Sequence, residues 1–146
     1  MSSIPAETLY CRFRNRIIEH LQLVSSVEEQ LAYQQSDPIG QVSGELFNTW
    51  GDWVADEATI DEFTAPVFSP EEQLAVREFN AALNAVSDRT AQDLPYITEF
   101  IGTPEWQELS SAARKAISVF QVRGMSPEPG AQSNNSFKPN PLRGSA

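Results

Sequence analysis

One histidine and one cysteine are available for nucleophilic or metal chemistry, and they stand nine residues apart, at Cys11 and His20. On a helix that separation is about two and a half turns. A thiol and an imidazole so placed cannot form the hydrogen-bonded pair that Cys–His chemistry requires, and a Ser–His mechanism would have to use the same His20. His20 is expected instead as a boundary residue making a local hydrogen bond. A structural zinc site needs converging Cys and His ligands that this chain does not supply. Carboxylates are abundant, and Asp52, Asp56, Glu57, Asp61 and Glu62 have oxygens enough for magnesium or calcium. Their spacing does not follow the EF-hand loop, with its fixed ligand and glycine positions. Neither the phosphate-binding Gly-x-x-x-x-Gly-Lys-Ser/Thr run nor the dinucleotide Gly-x-Gly-x-x-Gly turn occurs. Paired carboxylates of the glycosidase kind have no specificity in a chain this acidic. No catalytic residue, metal or cofactor is therefore assigned.

Charge is the strongest signal. Twenty acidic residues oppose ten basic ones, for a net charge of −10 over 146 residues. Residues 37–108 hold fifteen of the acids and only two bases, Arg77 and Arg89. Such a field repels nucleic acid and anionic membranes, whose binding depends on Lys and Arg, and it speeds encounter with a basic partner. A hydrophobic content of 40% with 10% aromatics is enough for a folded core. No run approaches the length of apolar residues that spans a bilayer. The single cysteine and the lack of a basic-then-apolar leader at the N-terminus lead us to expect a cytoplasmic protein.

The elements that carry these residues read as helices. Tyr10, Phe13, Ile17, Leu21 and Val24 recur at steps of three and four, which puts them on one face of a helix over 6–35. Ile18 and Leu23 lie off that stripe and suggest contact on a second side. Either Ser25 with Glu28 or Ser26 with Glu29 could form a capping box and break this helix. With a break, Val27 and Leu31 take over the buried face and Glu28 points to water; without one, Glu28 is buried and needs an arginine. Arg12, Arg14 and Arg16 are expected at the surface, Arg14 nearest the apolar edge. A shorter helix is expected over Gly44–Val54 with Ser43 as its N-cap, and residues 55–68 as irregular or extended. Ser69-Pro70-Glu71-Glu72 is a strong helix start, and Leu74, Val76, Phe79, Leu83 and Val86 should face inward from it. A brief helical segment ends at Phe100. Thr103-Pro104-Glu105 opens a last helix burying Trp106, Leu109, Ala113, Ile117 and Phe120.

These readings define an all-α fold: a single-domain helical bundle of three long and one or two short helices over residues 1–122. A Pro/Gly/Asn/Ser-rich flexible tail is expected over 123–146. The end of that tail, from Asn135 to Gly144, resembles a segment found at the ends of many unrelated bacterial open reading frames; a peptide recognition motif is the alternative.

Function is sought in residues 45–68. Glu45, Asp52, Asp56, Glu57, Asp61 and Glu62 occur there without a base, interleaved with Phe47, Trp50, Trp53, Ile60, Phe63 and Phe68. Aromatic anchors ringed by carboxylates suit an interface with a cationic partner. The competing reading is that Trp50 and Trp53 fill the core while the acids are merely exposed. In general character, residues 1–122 resemble small acidic helical bacterial immunity proteins of toxin–immunity systems. The resemblance rests on no diagnostic motif. It implies stoichiometric capture of a basic protein, a toxin effector, in the cytoplasm and without turnover. Asp52, Asp56, Glu57, Asp61 and Glu62 are then the expected charged contacts, with Trp53 or Phe63 as anchor. A helical homo-oligomer acting as a structural or adaptor protein is the alternative, motivated by the two-sided first helix. A third reading, an enzyme using buried carboxylates, requires two converging acids of raised pKa in a deep pocket.

Overall fold

The computed structural model describes residues 6–90 and 94–127. Seven helices follow one another there: α1 (Ala6–Ser25), α2 (Val27–Ser36), α3 (Val42–Trp53), α4 (Glu57–Asp61), α5 (Pro70–Arg89), α6 (Ile97–Phe100) and α7 (Pro104–Phe120). The three long helices α1, α5 and α7 form the body, and no strand occurs among the described residues. The expected all-α, single-domain bundle is the fold.

Pairings along the helices give their directions. Arg89 meets Glu108, Glu78 meets Lys115 and Glu72 meets Arg123, so α5 and α7 run antiparallel. Arg14 over the Phe120 ring, with Gln30 of α2 joining the Leu23 and Val24 carbonyls at the end of α1 to Trp106, sets α1 antiparallel to α7. Phe13 against Trp53 and His20 against Leu46 do the same for α1 and α3. Ile17, Leu21, Val76, Phe79, Leu109, Ala113 and Phe120 fill the space between them. Burying such side chains is the main favourable term, at about 1.5–3 kcal/mol each.

The break after α1 is made at Ser26, whose hydroxyl accepts the Glu29 N–H at 3.1 Å. Glu28 points to solvent, as the broken helix requires. Leu31, however, does not take over the buried face. Gln30 does: fully buried, its amide donates to the Leu23 and Val24 carbonyls at 2.9 and 3.0 Å and accepts from the Trp106 indole at 2.9 Å. The Val24 carbonyl is among the acceptors that a helix C-terminus leaves without an intrahelical partner, and the Leu23 carbonyl also accepts the Ser26 N–H at 3.2 Å, so a glutamine serves the core better here than leucine.

The expected caps hold at Ser69, which forms a complete capping box with Glu72, and at Thr103, which accepts the Trp106 N–H. Three local expectations are corrected. α3 begins at Val42 with Gln41 as its cap residue, and the Ser43 hydroxyl donates to the Pro95 carbonyl at 2.6 Å. The 55–68 stretch contains α4, started by Asp56, whose carboxylate accepts the Thr59 N–H at 2.9 Å. Leu74 is 54% exposed rather than core, because α5 turns that position toward the open side of its contact with α7.

The described chain also continues past the expected boundary at Val122. Gly124 closes α7 with φ +75°, a left-handed conformation that suits glycine, and its N–H donates to the Phe120 carbonyl at 2.8 Å. Ser126 then exchanges two hydrogen bonds with Asn15, at 2.8 and 2.9 Å. The rest of the expected tail, including the 135–144 segment, lies outside the described residues.

Candidate interaction site

The acidic segment does not present one continuous face. Glu57 and Asp61 share Arg77, at 2.5 and 3.0 Å, so two of the five expected contacts are already engaged by a guanidinium. Asp56 is exposed and caps α4; hydrogen bonds from the Thr59 N–H and hydroxyl hold its carboxyl below the ordinary range. Glu62 accepts the Tyr10 hydroxyl, and this bond to a carboxylate pushes the Tyr10 pKa up. Asp52 is exposed on α3 and makes no ion pair among the described residues. Phe63 cannot serve as an anchor, which corrects that expectation. It is fully buried, stacked on Phe68 with ring centroids 4.5 Å apart, because the turn after α4 folds it under the helix.

Trp53 behaves differently from its neighbour Trp50. Trp50 is a core residue, its indole N–H donating to Asn80 Oδ1 at 3.0 Å. Trp53, one turn on at the end of α3, is only half-buried and meets Phe13 edge-on at 5.5 Å. Phe13 meets Tyr10 at 5.8 Å, and Tyr10 meets Phe63 at 6.1 Å. Trp53, Phe13 and Tyr10 therefore form a half-buried row at the edge of α1 and α3. It ends at Glu62, and Asp52 stands next to Trp53 in the chain. Edge-to-face rings of this kind are held by their quadrupoles as well as by area. Tyr10 and Phe13 were read from sequence only as part of a core stripe. Their position at the N-terminal end of that stripe is the one signal that marks them.

Residue spacing does not reveal a second polar cluster. Arg14, expected at the surface, is 1% exposed and lies 2.8 Å from Glu72, itself 1% exposed. Glu72 also receives Arg123 at 2.5 Å and the Ser69 N–H at 3.0 Å. Arg14 reaches on to the Gly124 carbonyl at 2.6 Å and the Ser126 hydroxyl at 2.9 Å. Burial pushes the Glu72 pKa up, but the hydrogen bonds from Arg123, Arg14 and the Ser69 N–H outweigh it and hold the group at about 2. This cluster ties α1, α5 and the end of α7 together. It is the opposite of the raised-pKa acid pair that the enzyme reading requires.

His20 is buried, not a boundary residue, and its bond is tertiary rather than local: Nε2 lies 2.9 Å from the Leu46 carbonyl. Burial lowers its pKa below 6.5, against the opposing pull of the Leu46 carbonyl and of Glu45 and Asp52. Both shifts destabilise the fold in acid. The unfolded chain binds the His20 proton more readily, so stability falls as pH drops below about 6.5. Glu72 adds a second loss as pH falls from about 4.5 toward about 2. Urea titrations across this range are expected to show two declining phases, the first reduced by His20→Gln and the second by Glu72→Gln. Variant curves that keep the parent's slope in both windows would contradict these assignments.

Among the described residues no group of three or more His, Cys, Asp or Glu is placed to hold a metal ion, and no helix is long and apolar enough to cross a membrane. No family model, curated protein or solved structure matches this chain.

Proposed function

We propose that this chain is a binding protein that captures and neutralises a basic protein partner, in the manner of an immunity protein acting on a toxin effector in the cytoplasm. The observation that carries the reading is the half-buried row of Trp53, Phe13 and Tyr10, with Glu62 at one end and Asp52 beside Trp53 in the chain. A Lys or Arg side chain laid over such rings gains from the ring quadrupole, and more so as the contact loses water. Glu62, bonded to Tyr10, and Asp52, next to Trp53 in the chain, supply the anionic border. Arg77 already engages Glu57 and Asp61, so the surplus at the row rests on Glu62 and Asp52. That surplus steers a cation toward the row and sets its orientation. The protein acts by occupancy, with no chemical step of its own.

The test is capture from the native cell extract on the immobilised full chain at low salt, followed by affinity measurement on the purified partner. A strongly basic protein is expected, bound in a salt-sensitive way. Trp53→Ala is expected to weaken it by roughly 30-fold or more, the effect of losing an interface anchor, with helicity unchanged. The charge reversal Asp52→Lys with Glu62→Lys should slow association. Retention of no basic protein, or equal affinity of a well-folded Trp53→Ala variant, would remove the reading.

A further inference from the structure

A different face of the molecule carries a surface that the capture of a basic partner does not use. α5 and α7 pack closely over small residues and leave an open apolar groove of about 550 Å³ between them. Ala75, Ala82, Ala112 and Ala116 form its floor, and Leu74 and Val119 stand at one end. Leu74 is the residue whose spacing belongs to the core stripe yet which is 54% exposed. The two rims differ in sign. The α5 rim is acidic, with Glu71 and Glu78, and the α7 rim carries Lys115, which is 79% exposed and 3.9 Å from Glu78.

From this groove we infer that the chain self-associates, the occupant being a second copy placed by a two-fold axis that runs along the groove. The charges select that symmetry. An axis across the groove would stack α5 on α5 and set Glu78 near its own copy, which like charge disfavours. An axis along the groove places α5 of each copy over α7 of the other at the same height. Because α5 and α7 run antiparallel with Glu78 level with Lys115, each Glu78 then meets Lys115 of the partner subunit. Glu72 is level with Arg123, so Leu74 falls between these levels, opposite Val119 of the partner subunit. One surface serves both copies, as an isologous interface requires. Each copy carries −10, but at physiological salt a Debye length of about 8 Å confines their repulsion to short range. The expected dimer is weak, with Kd on the order of micromolar. The rows of α1 that had suggested self-association do not contribute, since Ile18 is buried and Leu23 packs against this chain's own core.

Sedimentation velocity of the full chain from about 1 µM to about 1 mM brackets that affinity. A monomer–dimer equilibrium is expected. Leu74→Glu, at an exposed position, should weaken it by at least tenfold. Lys115→Glu and Glu78→Lys should each weaken it similarly, one setting acid against acid and the other base against base. An equimolar mixture of those two single variants should form a heterodimer, because every cross-copy pair is then complementary. Circular dichroism identical to the parent's shows that the variants are folded. A strict monomer at all concentrations overturns the inference, whatever other helix the groove then proves to accept. A dimer indifferent to Leu74→Glu, or variants that do not associate when mixed, overturns it equally.

Discussion

Replacing Glu72 by alanine is expected to cost the fold about 3–5 kcal/mol, the typical penalty for stranding a buried charge. Arg14 is 1% exposed and would lose the carboxylate that accepts from its Nε and Nη2 at 3.1 and 2.8 Å. An isolated guanidinium in that position has no route to water without opening the contact between α1, α5 and the end of α7. The same substitution removes half of the capping box at Ser69 and the anchor of Arg123. The midpoint of thermal unfolding should fall by roughly 10 °C or more for a chain of this length. Glu72→Gln should fall in between, since it keeps the shape but not the charge. Arg123→Ala should cost far less, because Arg123 is 44% exposed and water replaces its bonds. The joint replacement Arg14→Met, Glu72→Met should recover part of the loss, as apolar residues of similar volume often substitute for a buried pair. Chemical denaturation followed by circular dichroism measures all four, and a Glu72→Ala variant within about 1 kcal/mol of the parent would show that the pair does not hold the bundle together.

Trp50→Ala is the second large effect, expected at about 3–5 kcal/mol. The side chain is among the largest fully buried ones and packs edge-on against Phe79 at 4.7 Å and beside His20 at 5.9 Å. Its loss leaves a cavity among α1, α3 and α5 that rigid neighbours fill only in part. Trp50→Phe separates the two contributions. It keeps most of the apolar area but leaves Asn80 Oδ1 without the indole donor, a change of about 1–3 kcal/mol. Trp53→Ala provides the contrast, since loss of its half-buried ring should cost much less stability while weakening the proposed capture of a basic partner. Denaturation curves in which Trp53→Ala destabilises as much as Trp50→Ala would reverse the roles assigned to the two tryptophans.

The two tryptophans illustrate how far residue spacing reaches. Their separation of three places both on one side of a helix, and nothing in that spacing says which lies over the centre of the bundle and which over its edge. The carboxylates show the same limit. The surplus of acid over base in the middle of the chain is a property of composition, yet Arg77 lies sixteen residues beyond Asp61 and reaches it only because α4 folds back onto α5. Arg14 reads as a surface residue because it belongs with Arg12 and Arg16 to a set of bases that balances the acidic remainder. It is buried because Glu72, fifty-eight positions away, arrives at the same place.

Sequence by itself determined the long helices, the starts at Ser69 and Thr103 and the all-α class, and it offered the break at Ser26 as one of two alternatives. These depend on interactions within a few residues of one another: the period of the apolar stripe, the side-chain caps of Ser26, Ser69 and Thr103, and the punctuation of proline and glycine. Only the tertiary structure decided which carboxylates are neutralised, that Phe63 is buried while Trp53 reaches the surface, and that Leu74 faces an open groove. Those outcomes depend on which helix crosses which and at what height. Such crossings are set by packing across distant segments, information that no local window of residues contains.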